Sequence, residues 1–296
     1  MQQASIVVFG EVLVDNFPDG TQVLGGAPFN VAWHLQAFQQ TPLFISRVGV
    51  DAVGNKIRAA MRQWGLTEIG LQSDSHYPSG QVSIQLQNGE PNYSILDFQA
   101  YDFINAAELP VQHASWVYHG SLALRHLGSQ QALQALKQDF SGLVFMDVNL
   151  RSPWWDKTVL EKQFITADWL KLNQHELHML KSAQLDEKTL MQQLIDEYQL
   201  AGVVLTCSEA GAMALAATGE FLQVKPESNV QVLDTVGAGD AFAAVFLLGL
   251  QLNWSLAVVM QRAQDFATAI VGQRGAIVTD LAFYEVYVGA WLEKAE

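Results

Sequence analysis

The chain has 296 residues, half of them hydrophobic and 16% charged, with 16 Lys and Arg against 30 Asp and Glu. That much apolar material supports a sizeable core and excludes a disordered chain, and the length suits one large α/β domain. A net charge of −14 excludes a duplex nucleic-acid binder, and any phosphate ligand must be held by local devices against an unfavourable field.

From the amino terminus, Met1-Gln2-Gln3 carries no basic residue, and the apolar run Ile6–Phe9 is too short for a signal peptide. Ile6–Phe9 reads as a buried strand with a turn at Gly10, Val31–Phe38 as a helix, Phe44–Val48 as a strand, and the stretch around Gly54–Trp64 as a helix. Gln81–Gln87 and Asn92–Leu96 alternate polar with apolar around Asn88-Gly89, a preferred hairpin turn pair. Such a hairpin does not belong in a buried parallel sheet; it is expected to form a small accessory sheet, a lid or an interface. Trp116–Tyr118, Leu143–Met146, Trp169–Leu172 and Val203–Thr206 read as further buried strands separated by helical segments, and Ala238 to Glu296 as helical throughout. Alternating strands and helices imply right-handed crossovers and a mainly parallel sheet covered on both faces. The longest apolar stretch, Ala241–Leu250, falls short of the ~20 residues of a membrane span. A single cysteine, Cys207, cannot form an internal disulfide, which fits a reducing, cytoplasmic compartment.

The most informative segment is Asp234-Thr235-Val236-Gly237-Ala238-Gly239-Asp240, which opens the apolar helix. Gly237, Ala238 and Gly239 leave the first helical N–H groups uncovered, an anion site reinforced by the helix dipole. Asp240 at its mouth has two readings: a helix cap, or the acceptor of a proton from a hydroxyl that attacks the bound phosphate. The helix terminus is expected to hold its pKa low. Gly25-Gly26 lets a ligand approach the backbone, or simply turns the chain before a helix. Asn30 offers a donor and an acceptor suited to vicinal hydroxyls, or caps that helix. Asp15 follows the first strand, where open α/β sheets bind ligands.

Asn149 and Arg151 follow a strand end, Arg151 as a phosphate clamp or a solvated loop residue. Asn173 and Glu176, spaced i, i+3, face one side of a helix start; Glu176 there also complements the helix dipole. His175 and His178 share a helix face without a third metal ligand, Trp154-Trp155 fits a packed turn as well as a stacked base, and Cys207 fits a core position. Neither GxxxxGK[ST] nor GxGxxG occurs at these turns, since Phe242 stands where the third glycine of the latter would be.

DTVGAGD followed by AFAAVFLLGL resembles the C-terminal signature of the ribokinase/PfkB carbohydrate kinase family, and Gly25-Gly26-Ala27-Pro28-Phe29-Asn30-Val31-Ala32 resembles its N-terminal signature. Gly49–Gly54, Asp147–Arg151 and Asn173–Glu176 match in family order, and GGAPFNVA and DVNLR are closest to the fructokinase-like branch. The resemblance implies a single ribokinase-like domain over residues 1–296, a three-layer α/β/α sandwich with a β lid formed by about 16–24 and 79–102. It implies transfer of the γ-phosphate of ATP to a primary hydroxyl of a small sugar, with fructose favoured. Ribose, 2-keto-3-deoxygluconate or a nucleoside are alternative acceptors, and a catalytically silent sugar- or nucleotide-binding regulator is the alternative of another class.

Asp240 is then the base and Gly237–Gly239 the anion hole, with Asp15, Gly25, Gly26 and Asn30 on the sugar. Arg125, in a GSLALR stretch that is also similar to fructokinase-like chains, is a candidate for the substrate. Asn149, Arg151, Asn173, Glu176, Thr206, Ser208, Gly211 and Gln264 fall to ATP and its phosphates. Glu176 would support Mg2+ indirectly, and Asp234 and Val236 a monovalent cation such as K+. A homodimer through the lid is expected, without nucleic-acid or membrane partners. Four positions depart from the family pattern. Ser208 stands where a glycine is usual and Gln264 where asparagine is frequent; Gln39 and Val245 replace small residues.

Overall fold

The computed structural model describes residues 5–87, 90–111, 113–138, 140–181, 184–227 and 231–292. In chain order the strands are β1 (Ile6–Phe9), β2 (Leu13–Asn16), β3 (Gln22–Gly25), β4 (Leu43–Gly49), β5 (Leu71–Asp74), β6 (Gly80–Gln87), β7 (Glu90–Ile95), β8 (Trp116–His119), β9 (Leu143–Asp147), β10 (Trp169–Asn173), β11 (Gly202–Thr206), β12 (Ala212–Ala216) and β13 (Phe221–Val224). The helices are α1 (Ala27–Ala37), α2 (Ala52–Trp64), α3 (Leu127–Gln138), α4 (Lys157–Phe164), α5 (Gln174–Leu180), α6 (Glu187–Tyr198), α7 (Ala238–Gln251), α8 (Leu256–Val271) and α9 (Leu281–Trp291).

Every residue of β1 is buried, and its alternation sends Ile6 and Val8 to one face of the sheet and Val7 and Phe9 to the other. Only a strand covered on both faces reads as an unbroken apolar run. It sits inside a nine-stranded sheet of order β13-β12-β11-β10-β9-β8-β1-β4-β5. Helices α1, α2, α7, α8 and α9 contribute to the core on one face, and α3 to α6 to the core on the other. Residues Ala241–Gly249 of α7 are all buried, as a helix apolar all round requires. It packs between α1 and α8.

The sheet is parallel from β5 to β11, but β12 is antiparallel to β11 and β13 antiparallel to β12. The connections 207–211 and 217–220 are too short for the crossover that a parallel pair needs. The helix expected from Val31 begins at Ala27, with Pro28 in its first turn, where a missing N–H costs nothing. The C-terminal region is helical in α7, α8 and α9 and irregular over 272–280; residues 293–296 lie outside the described ones. Among the described residues, no helix is long and apolar enough to cross a membrane.

A second sheet has the order β3-β2-β6-β7. The expected hairpin is its β6–β7 pair, and the Asn88-Gly89 turn lies outside the described residues. The hairpin is joined by β2, parallel to β6, and by β3, antiparallel to β2. Asp15 therefore belongs to a strand of the small sheet and not to a loop after β1.

Candidate active site

Because β1, β8, β9, β10 and β11 are parallel, their carboxyl ends share one edge, the edge where open α/β sheets bind ligands. Glu11, Gly120, Asn149, Arg151, Asn173 and Cys207 leave from it.

The segment Asp234–Gly239 arrives there from the other end of the chain. The cap of α7 is Gly237, at φ 81° and with no side-chain cap. A Cβ at this glycine would lie 2.4 Å from the Ala276 Cα, so the loop has room for glycine alone. Asp240 is therefore in the first turn and is not the cap; Ala238 N–H reaches the Thr235 carbonyl at 3.4 Å, and no side chain caps the helix start. Its Oδ2 accepts a 2.7 Å hydrogen bond from Asn30 Nδ2. This bond joins the two signature segments. Asn30 is 4% exposed, and its Oδ1 is buried without a partner.

Burial, with Asp147 as a like charge, raises the Asp240 pKa above the ordinary carboxylate value, while Asn30, Lys171 and Arg151 oppose the rise. The expectation of a depressed pKa is thus overturned: desolvation outweighs the helix dipole. Asp240 is a stronger base than the sequence implied.

On the facing side, Gly26 caps α1 at φ 106°, and a Cβ there would meet the Glu11 carbonyl at 2.7 Å. Gly25 lies against Asp15, whose Oδ2 is 3.3 Å from where a Cβ would stand. Burial pushes the Asp15 carboxyl up to about 6, against the pull of Arg151. Arg151 is exposed and acts on Glu11, Asp15 and Asp240 together.

Glu11 was not foreseen. It is 2% exposed, with Oε2 buried and unpartnered. Burial pushes its carboxyl up to about 7, Asp240 adds to the rise, and Arg151 and the Ala123 N–H lower it. The available signal was a single acid directly after an apolar strand and a glycine. Folding stability should follow from this shift. Folded Glu11 holds its proton more tightly than unfolded Glu11, so its contribution is complete below pH 4.5 and is lost as the pH rises to about 7. The loss is on the order of 3 kcal/mol. Glu11→Gln should leave the ligand-free urea midpoint unchanged at pH 4 and raise it at pH 8; equal shifts at both would contradict this.

Asn173 caps α5 and forms a reciprocal capping box with Glu176. The Glu176 carboxylate accepts the N–H groups of Asn173 and Leu150, each at 2.8 Å. It therefore ties the loop after β9 to α5. Asn149, at φ 38°, accepts from Ser121 Oγ at 3.3 Å through its carbonyl. Asp234 accepts from the N–H groups of Val236 and Gly275, both at 3.0 Å, and so links the anion loop to the segment after α8. Thr206 ends β11, and Ser208 takes φ 49° in the turn before Gly211. That left-handed conformation explains why a glycine would suit the position, and serine adopts it at a modest cost. Gln264, 7% exposed on α8, donates to Thr268 Oγ1 within its own helix.

Arg125, the candidate for the substrate, is held by the segment around β7. Its Nε and Nη2 bind Asp102 at 2.7 Å each, Nη2 also reaches the Leu96 carbonyl at 2.6 Å, and the guanidinium lies 4.4 Å from the Trp154 ring. The side chain is 2% exposed and braces the end of β7, while its Nη1 is buried without a partner. Trp154 is thereby used for packing. Cys207 is buried, in keeping with a core position, and His175 and His178 are exposed.

Residues 3–281 match the pfkB family carbohydrate kinase family. The chain is 31% identical to the fructokinase of Klebsiella pneumoniae over 280 residues, 89% of this chain and 90% of the relative. It is 28% identical to the Escherichia coli fructokinase over 263 residues, 83% and 84% of the two chains. The fructokinase of Vibrio cholerae O395, crystallised with fructose, ADP and calcium ion, superposes with a TM-score of 0.80 at 26% identity, covering 95% of this chain and 97% of that one.

Proposed function

The chain belongs to the pfkB family of carbohydrate kinases, and from that premise we propose that it phosphorylates fructose at a primary hydroxyl with ATP. The observation that supports this best is the Asn30–Asp240 hydrogen bond: a hydroxyl-binding amide and a proton acceptor meet where helix-start amides await an anion.

Fructose would lie between the two sheets, held by Asp15, by Asn30 through its unpartnered Oδ1, and against the bare backbone of Gly25 and Gly26. The attacking hydroxyl faces Asp240. As its oxygen bonds to the γ-phosphorus, Asp240 takes its proton and the bridging oxygen leaves on ADP with the electron pair of the broken bond. In a loose transition state the proton moves late, so positioning and charge stabilisation dominate. The Gly237–Gly239 amides receive the charge of the phosphoryl group, with Arg151 as a clamp. ATP would extend along the sheet edge past Asn149, Thr206, Ser208 and Gly211 toward Gln264.

Magnesium, when bound with ATP, shields the phosphate charge. Asn173 and Glu176 suit it: each oxygen of the buried Glu176 carboxylate accepts one N–H, and the remaining lone pairs can hold water of hydration. Asp234 and the Val236 carbonyl would hold a monovalent cation such as K+. The small sheet acts as a lid that excludes water as a competing acceptor.

Coupled ADP release over fructose, ribose, 2-keto-3-deoxygluconate and nucleosides tests the assignment. Fructose should give the highest kcat/KM. A different leader replaces the acceptor, and no release with any sugar replaces the enzyme by a silent binding protein. The small sheet is bounded by β3 and β7, and free strand edges invite pairing. We therefore expect a lid-to-lid homodimer, and only a monomer in gel filtration at micromolar concentration would contradict it.

A further inference from the structure

We propose that Lys171 is a further positioning residue of the phosphoryl-transfer site, its ammonium pinned by Asp147 beneath Gly239 as the buried positive charge of the anion hole. The proposal rests on the sugar-kinase reading. β10 reads Trp-Leu-Lys-Leu-Asn. Its period of two sends Leu170 and Leu172 into the core beneath α3–α6, and Trp169 to the α7 face. Lys171 follows Trp169 to that face. A lysine in a buried strand is rare and costs several kcal/mol unless it is paired.

Its partner stands opposite it in the register, Asp147 on β9. Lys171 Nζ lies 2.6 Å from Asp147 Oδ2, with the two side chains 7% and 2% exposed. Tyr118 donates to the same oxygen at 3.3 Å. The ammonium then reaches the start of α7, where a Cβ on Gly239 would be 3.5 Å from Nζ. An ammonium has three donors, and the bond to Asp147 takes one.

The need for this charge is local. Glu11, Asp15, Asp147, Glu176 and Asp240 crowd the site, and of the cations acting on Asp240, Arg151 is exposed while Lys171 is buried. A buried charge is screened least, and the Lys171–Asp147 pair turns its positive end toward Gly239, a preorganised attraction to a phosphoryl group in transit. It also bears on the base. The charged and titratable groups around Asp240 are Glu11, Tyr118, Asp147, Arg151 and Lys171, and of these Asp147 raises its pKa while Lys171 and Arg151 lower it.

The rival is a plain structural ion pair between β9 and β10, and two variants separate the cases. Lys171→Met should lower kcat about 10²-fold, change the sugar KM little, and move the acid limb of the kcat profile to higher pH, since Asp240 loses a stabilising cation. It leaves Asp147 buried and unpaired, which destabilises the fold. The double variant Asp147→Asn/Lys171→Met removes that penalty. It should melt like the wild type, return the acid limb close to its original position because the two effects offset, and keep the low kcat. If Lys171→Met does not fold, the double variant decides alone. A double variant with wild-type kcat overturns the role of Lys171 and leaves the kinase reading standing. Absence of ADP release from the wild type with every sugar overturns the kinase reading itself.

Discussion

Asp240→Asn is expected to bind fructose and ATP as the wild type does and to turn over about 10²–10⁴-fold more slowly. The substitution is isosteric. The new amide oxygen still accepts from Asn30 Nδ2, so the geometry of the 2.7 Å bond survives, and the helix-start amides are untouched. What disappears is the ability to take a proton. The wild-type kcat should rise with pH through the raised Asp240 pKa, because only the ionised carboxylate accepts the hydroxyl proton. The variant should lose that limb along with its rate. Calorimetry for each ligand and steady-state ADP release across pH separate binding from turnover. A purified variant with near-normal kcat would eliminate Asp240 as the base.

The features that sequence showed well are those whose cause is local. β1 is four apolar residues beside a glycine, and α7 is an apolar run after an anion loop; each carries its own signal. β2 and β3 carry no strand signal of their own, and only the family resemblance places 16–24 in a β lid, because Leu-Val-Asp-Asn and Gln-Val-Leu-Gly become strands by pairing with each other and, for β2, with β6, far along the chain. Glu11 and Lys171 were masked by their apolar neighbours, although a single charge in such a run has to be satisfied somewhere. Arg125 could not be assigned from its own segment, since Asp102 and Leu96, which fix it, lie on another. The sign of the Asp240 shift is not legible in its own segment for the same reason. The dipole belongs to its own helix, whereas the burial and the Asp147 charge come from packing against the sheet.

Asn30→Asp should be nearly as damaging as loss of the base, by a different route. The exchange keeps the shape of the side chain and replaces the amide donor with a second carboxyl at the 2.7 Å contact with Asp240 Oδ2. Two carboxyls so close cannot both ionise at ordinary cost, and they share one proton. Burial strengthens the effect, for position 30 is 4% exposed in the wild type. Near neutral pH the pair would carry a single charge, and Asp240 would spend much of its time as a donor. Turnover at pH 7 should fall roughly 10²-fold, with a pH profile displaced to higher pH and partial recovery of rate as the second proton leaves. Asn30→Ala is the control: it removes the donor without adding a charge, so it should weaken sugar binding and displace the profile far less. Equal displacement in the two variants would mean that the shared proton is not the cause and that loss of the Asn30 donor, common to both, is.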